Sequence, residues 1–174
     1  MSARAVRRPR RAARGQAVLY AVVLSPVILL SLTFAVGLGA LQLEKQRLRS
    51  ALDEATTVAA ARSSIGVDGT LNLDRSATAT QVRQSIADNL RSIANHLDGT
   101  GPDQVAAEAD VAVLVDVPAP DPFTAGAVVR RPTIEARIRA PVHSDLLSLT
   151  GLSPRVTFTV TSSADIRVSG GGAP

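Results

Sequence analysis

The sequence predicts an α+β protein: a long N-terminal transmembrane helix continues into a domain with a second helix and a small antiparallel β-sheet. Three observations predict this fold. An uncharged, apolar stretch occupies residues 15–43. Apolar residues then recur at helical spacing, and beyond residue 109 the spacing changes to the alternation typical of strands. Helices followed by strands indicate an α+β fold.

The first element is the uncharged stretch, which is longer than the roughly 20 residues needed to cross about 30 Å of hydrocarbon. A secretory signal peptide usually has an apolar region of only about 7–15 residues, and a buried helix of a soluble protein normally carries polar interruptions. We therefore predict a transmembrane helix over 15–43. Pro26 is expected to kink or loosen this helix, because it removes a backbone hydrogen bond.

Within the same stretch, Ala35 and Gly39 form a pair of small residues four positions apart. Such spacing lets a second helix approach closely in a membrane. Small residues are also common throughout this alanine-rich chain, so the pair has an alternative explanation in composition alone.

The arginines predict the orientation of the span, because positively charged flanks stay on the cytoplasmic side. Six arginines precede the span, and the first acidic residue is Glu44. We therefore predict a basic cytoplasmic tail over 1–14, an extracytoplasmic domain over 44–169 and a disordered tail over 170–174. The six are Arg4, Arg7, Arg8, Arg10, Arg11 and Arg14.

The high pI of about 10.9 belongs to this tail, since Asp and Glu outnumber Lys and Arg once the six arginines are set aside. A basic tail beside a span is expected at the anionic headgroups of the lipid bilayer. No specific nucleic-acid partner is predicted. A DNA-binding arm, the competing interpretation, would show strongly salt-dependent affinity.

Helical periodicity continues beyond the span, so that one helix is predicted from about Ala17 to Ser63. Its outer half is amphipathic, and either the protein's own domain or a partner helix must cover the apolar stripe. Arg49 and Asp53 are spaced to pair across one turn. The stripe consists of Leu41, Leu48, Leu52, Ala55 and Ala59.

A second helix is predicted from about Ala77 to Leu97, and the run DGTGPD ends it. The loop before this helix contains Gly66, Asp68, Gly69 and Asn72. The apolar face of the helix contains Val82, Ile86, Leu90, Ile93 and Leu97.

Strands are predicted after that. The first covers Ala109 to Val117, and the proline-rich bend PAPDPFTAG follows. The segment TIEARIRAPV alternates, and HSDLLSLTGL has the composition of a short helix or turn. The last strand is RVTFTVTSSADIRV, with Val156, Phe158 and Val160 on one face. In TIEARIRAPV, one face would carry Ile134, Ala136 and Ile138, and the other Glu135, Arg137 and Arg139.

Residues able to support catalysis are few. The chain has no cysteine, which excludes disulfides, cysteine zinc sites and cysteine nucleophiles. His96 and His143 are the only histidines, and neither lies in an HExxH motif. Asp68, Asn72 and Asp74 lack the spacing of a calcium loop, and there is no GxSxG nucleophile motif. We therefore predict no enzyme activity, no metal and no cofactor.

Several segments together resemble a known family. They are Arg14-Gly15-Gln16-Ala17, a span with Pro26 eleven residues after the glycine, the alanine-rich helix LEKQRLRSALDEATTVAAA, and the paired strands around HSDLLSLTGL. The chain resembles the TadE/TadG-like minor pilins of tight-adherence (Flp-type) pilus systems. The resemblance implies a pilin-like fold and a single-pass protein of the bacterial inner (plasma) membrane with an exported domain. It also implies a role in pilus assembly, secretion or cell adhesion with other pilin-like or pilus-assembly subunits as partners.

The resemblance also suggests a processing site. In cleaved members of the family a prepilin peptidase cuts after a glycine just ahead of the span, and the matching bond here is Gly15–Gln16. Such members usually carry a glutamate five residues after the glycine, where this chain has Tyr20. A tyrosine cannot neutralise the ammonium group of a neighbouring subunit's new N-terminus. This departure favours an uncleaved, membrane-resident role.

The leading hypothesis is therefore a minor pilin-like subunit that acts through helix packing. The alternative is a signal-anchored extracytoplasmic binding or sensing domain unrelated to pili. Such a domain would fold when separated from the long helix, whereas a pilin-like protein would lose part of its core. The predicted helix-packing residues are Ala35, Gly39, Leu41, Leu48, Leu52 and Ala55.

Overall fold

The longest element is a single helix, α1, which runs for 53 residues from Arg10 to Arg62. The structure, a computed structural model, describes residues 10–63, 73–148, 151 and 153–166. The long helix predicted from the sequence is confirmed, although it begins earlier than expected. Pro26 lies inside α1, and the helix continues across it.

The second helix, α2, spans Arg75–Leu90. The Asp74 carboxylate caps it by accepting hydrogen bonds from the backbone N–H groups of Ser76 and Ala77, at 2.8 and 3.1 Å. The prediction of one helix to Leu97 was too long, because the chain changes to a 3₁₀ helix over Arg91–His96. The backbone of Ile93 is not helical (φ −121°), yet its side chain is buried in the core.

A short helix that the sequence pattern did not predict, α3, covers Pro102–Ala107. Pro102 stands at its first position, where the missing N–H is not needed. Six residues are too few to show a helical apolar period, and only tertiary packing identifies the buried pair Val105 and Ala106.

Three antiparallel strands form the sheet, in the order β1–β4–β5. They are β1 (Asp110–Leu114), β4 (Thr133–His143) and β5 (Arg155–Asp165), so the first strand is shorter than predicted. A small hairpin forms around the predicted proline-rich bend: β2 (Ala119–Pro120) lies in the bend and β3 (Val128–Val129) directly follows it. The segment predicted to be a short helix or turn before the last strand contains a short helix, α4 (Asp145–Ser148).

The core lies between the sheet and the two longer helices. The side chains of β4 alternate as predicted, and Ile134, Ala136 and Ile138 are fully buried with the apolar face of α2. Glu135 departs from the expectation of an exposed polar face, because it is only 5% exposed. The reason is that the chain between β1 and β4 folds back toward the outer face of the sheet, with the Phe123 ring 4.7 Å from the Arg137 guanidinium.

Some predicted features lie outside the described residues. They are the loop around Asp68, part of the last predicted strand, the terminal segment 170–174, and the tail arginines Arg4, Arg7 and Arg8.

Candidate membrane-spanning and helix-packing site

The N-terminal half of α1 exposes its apolar side chains. Leu30 is 62% exposed and Phe34 is 41% exposed, although both are large and apolar. The most apolar window of the helix has a mean hydropathy of 2.4 and is 6% buried. Exposed apolar surface of this extent marks a membrane or an interaction site. At about 1.5 Å per residue, residues 20–43 are long enough to cross about 30 Å of hydrocarbon.

The hydroxyl groups in this half of α1 are satisfied within the helix. Ser31 donates to the carbonyl oxygen of Val27 at 2.8 Å, and Thr33 donates to that of Leu29 at 2.9 Å. Such bonds remove the need for water at these side chains, as a lipid environment requires. The described part of the chain contains one helix with the length and composition of a membrane span.

The six predicted packing residues fall into two groups. Ala35 and Gly39 are exposed, and a methyl group built at Gly39 would meet no atom within 4 Å. Leu48, Leu52 and Ala55 are completely or almost completely buried in the domain's own core. Leu41, between the groups, is partly buried. The domain therefore covers the outer part of the stripe itself and leaves the Ala35–Gly39 face open.

Glu44 marks the point where α1 enters the domain. It is 9% exposed, whereas the preceding Leu43 is 48% exposed. Its Oε1 atom accepts a hydrogen bond from Arg47 Nη1 at 2.9 Å and lies 3.4 Å from His96 Nδ1. The sequence pattern did not indicate this contact, because Glu44 and His96 belong to different helices.

Hydrogen bonds also fasten α1 to the rest of the domain. Thr56 Oγ1 lies 3.0 Å from Ser162 Oγ on β5, and both side chains are buried. The Asn89 side-chain amide on α2 donates to the carbonyl oxygen of Ala51 at 3.0 Å. The helix is therefore an integral part of the domain as well as its extension.

An open groove of about 900 Å³ lies between α1 and the end of α2. Its lining is mostly polar, which distinguishes it from the apolar cavities that usually hold small ligands. The lining includes Gln46, Ser50 and Glu54 on α1, and Asn89, Ser92 and Asn95 on the other side.

The predicted processing site and part of the basic tail lie in the first turns of α1. Gly15 and Gln16 are both helical, so the Gly15–Gln16 bond lies inside the helix. Arg10, Arg11 and Arg14 precede it on the same helix.

The histidines lie in separate places. His96 contacts Glu44, and His143 ends β4 opposite Arg155 of β5. Among the residues that the structure describes, no three His, Asp or Glu side chains come together in a group able to hold a metal ion.

Comparison with known proteins gives a family match for part of the chain. Residues 15–62 match the family model described as Flp pilus-assembly TadE/G-like, a family of pilus-assembly components and not of enzymes. The match ends where α1 ends, at Arg62. No curated protein and no solved structure matches the chain. Residues 15–62 are therefore similar to the TadE/G-like Flp pilus-assembly family, and over this segment the resemblance stated from the sequence is confirmed.

Proposed function

We propose that this protein is a membrane-anchored, minor pilin-like subunit in the assembly of a tight-adherence (Flp-type) pilus or a related secretion system. One observation carries the proposal. A single continuous helix is apolar and exposed in its first half and forms part of an α+β core in its second half. The match of residues 15–62 to a pilus-assembly family supports the same role.

The continuity of α1 suggests how such a subunit works. Leu48 and Leu52 are fully buried in the core, so the outer half of the helix cannot turn independently of the sheet. A partner helix that packs on the exposed Ala35–Gly39 face would therefore set the position of the whole domain. In this proposal the partners are the spans of other pilin-like or pilus-assembly subunits.

The orientation is also a proposal. The six N-terminal arginines would hold residues 1–14 at the cytoplasmic face of the bacterial inner membrane, and the sheet would be extracytoplasmic. Tyr20 is 58% exposed on the span, and it stands where cleaved relatives usually carry a glutamate. We therefore propose that the chain stays uncleaved in the membrane, with a prepilin peptidase acting at Gly15–Gln16 as the competing outcome.

The alternative, a signal-anchored binding or sensing domain, needs a domain that folds without its anchor. The burial of Leu48, Leu52, Ala55 and Thr56 from α1 argues against an independent fold. The polar groove between α1 and α2 is the feature that a sensing role would use.

Single cysteines test the membrane topology, since the natural chain has no cysteine. Val128→Cys places a thiol at a site that is 57% exposed in the domain, and Ala3→Cys places one in the basic tail. A membrane-impermeant maleimide should label residue 128 and not residue 3 in intact spheroplasts. Both thiols should react after the membrane is permeabilised.

Two outcomes would contradict this proposal. One is labelling of residue 3 and protection of residue 128 in intact spheroplasts. The other is release of the full chain from membranes by alkaline carbonate, which leaves integral proteins in the pellet. N-terminal sequencing of the extracted protein then shows whether the Gly15–Gln16 bond is intact.

A further inference from the structure

A buried carboxyl group lies on the outer face of the sheet. Glu135 belongs to the central strand β4, between Ala112 of β1 and Ser163 of β5. It is 5% exposed, and its Oε2 atom is buried with no hydrogen-bond partner. An ionised carboxylate in such a place is strongly unfavourable unless a positive charge or a proton accompanies it.

The titratable group that interacts with Glu135 is Asp121, in the loop that joins β1 to β4. Its Oδ1 atom accepts hydrogen bonds from the backbone N–H groups of Phe123 and Thr124, at 2.7 and 2.8 Å. These bonds fix its carboxyl group, which lies within hydrogen-bonding reach of that of Glu135. Both residues line one cavity of about 200 Å³. Two carboxyl groups in contact cannot both be ionised without a large electrostatic penalty.

The charged groups around the pair already have partners. Arg49 and Asp53 of α1 line the same cavity and pair with each other at 3.8 Å. On β4, Arg137 binds Asp110 of β1 at 2.7 Å and stacks on the Phe123 ring.

At the near end of the strand pair, two residues beyond Ser163, Asp165 of β5 lies 3.7 Å from Arg131. The remaining polar neighbours on β5 are the neutral hydroxyl groups of Thr161 and Ser163. Since the neighbouring arginines bind other carboxylates, a proton is the positive charge that can link the carboxyl groups of Glu135 and Asp121.

The two groups differ in their affinity for that proton. Burial raises the pKa of Glu135, and the negative charge of Asp121 raises it further. The hydrogen bond from the Phe123 backbone holds the pKa of Asp121 below its usual value. The proton therefore resides on Glu135, and Asp121 is the acceptor.

We propose that Glu135 and Asp121 share one proton in an acid–carboxylate hydrogen bond, which closes the loop of residues 115–132 over the outer face of the sheet. Loss of the proton leaves two facing carboxylates, so the loop opens as the pH rises. The protein thus carries a pH-sensitive latch over one face of its sheet. This inference does not depend on the proposed function.

The sign of the pH dependence follows from the raised pKa. Above the ordinary value of 4.5, the unfolded chain loses the Glu135 proton while the folded protein retains it. Stability therefore falls as the pH rises from that value to the folded pKa, by about tenfold in the unfolding equilibrium constant per pH unit. Above the folded pKa the contribution is lost.

The test is the pH dependence of unfolding of the full chain in detergent, between about pH 5 and about pH 8. Glu135→Gln should abolish this part of the pH dependence and make the protein more stable than the natural chain at the upper end. The glutamine amide donates to Asp121 at every pH. Glu54→Gln, at an exposed glutamate on α1, is the control and should keep the natural slope.

A second variant makes the test independent of the first. In Asp121→Asn, the amide oxygen can still accept from Phe123 and Thr124, and the amide nitrogen can donate to an ionised Glu135. This variant should also lose the slope. Hydrogen exchange of peptides from residues 115–132, corrected for the intrinsic effect of pH, should increase with pH in the natural chain and in Glu54→Gln, and in neither Glu135→Gln nor Asp121→Asn.

Three results would overturn the proposal: a flat profile in the natural chain, an unchanged slope in Glu135→Gln, or stabilisation by millimolar Ca²⁺ at about pH 8. If Ca²⁺ stabilises the natural chain but not Glu135→Gln, the two carboxyl groups hold a cation instead of a proton.

Discussion

Individual buried polar residues decide how tightly α1 is held in the domain. Thr56 is completely buried, and its hydroxyl group bonds both the carbonyl oxygen of Leu52 at 3.1 Å and the hydroxyl group of Ser162 at 3.0 Å. Because Thr56 donates to Leu52 within its own helix, Ser162 is the donor across the helix–sheet boundary. Ser162 is only 6% exposed, so a water molecule cannot take the place of Thr56 as the acceptor of its hydrogen bond.

Replacement of Thr56 tests this contact. Thr56→Val keeps the shape of the side chain but leaves the Ser162 hydroxyl without its acceptor. We expect a loss of about 1–3 kcal/mol in the free energy of unfolding, measured by urea denaturation in detergent. The double variant Thr56→Val with Ser162→Ala should lose less, because neither polar partner then remains buried alone.

The matched control is Thr80→Val on the exposed face of α2, where the hydroxyl group bonds the carbonyl oxygen of Ser76. We expect a change within about 0.5 kcal/mol there. Equal losses in the two single variants would show that the hydrogen bond to Ser162 contributes nothing.

Among the elements, α1 has two kinds of surface along one axis. Its first half is apolar on all sides, as in helices surrounded by lipid, and its second half has one apolar stripe. The predicted pair Arg49 and Asp53 lies in the second half at 3.8 Å, with both side chains mostly exposed. Such a pair contributes little to stability, so the buried stripe holds this half of the helix in place.

Gly39 tests the proposed packing of the first half. Gly39 is exposed and a Cβ atom added there meets no atom within 4 Å, so we expect the domain of Gly39→Leu to fold as before. We expect co-purification with other pilus components, and pilus assembly, to fall sharply, because a large side chain keeps a partner helix at a distance. The thermal unfolding midpoint should stay that of the natural chain.

Leu30→Phe adds bulk on the opposite side of the same helix, at a residue that is 62% exposed. It should leave assembly intact. If Gly39→Leu assembles normally, the Ala35–Gly39 face does not pack against a partner.

Taken as a whole, the molecule has one core that α1 shares with the sheet and α2. The core cluster includes Leu48 and Leu52 from α1, Ile86 from α2 and Ile138 from β4. A domain without α1 would expose the inner face of its sheet. The helix is therefore a structural part of the domain, and in the proposed function it is also the membrane anchor.

Two fragments test this role of α1. A fragment of residues 44–174 retains every described core residue and should be soluble, with one cooperative unfolding transition. A fragment of residues 62–174 lacks Leu48, Leu52, Ala55 and Thr56, and should aggregate or lack a cooperative transition by circular dichroism. Cooperative folding of the shorter fragment would instead favour an independently folding sensing domain.

The candidate site was predictable from sequence only in part. The long apolar helix and its buried stripe followed from local spacing, whereas the packing role of Ala35 and Gly39 stays a prediction. Neither the Glu44–His96 contact nor the Asp121–Glu135 pair was predictable, since each joins residues of different elements. Whether the domain or a partner covers Leu48 was also open until the packing was known.

The sequence by itself determined the long helix and the apolar faces of α2 and β4. These features depend on periodicities of 3.6 or two residues that neighbouring side chains carry. Only the tertiary structure decided that β4 lies at the centre of the sheet, that the helix changes form after Leu90, that α3 exists, and that Glu135 is buried. Each of these depends on contacts between residues far apart in the chain, which local spacing does not specify.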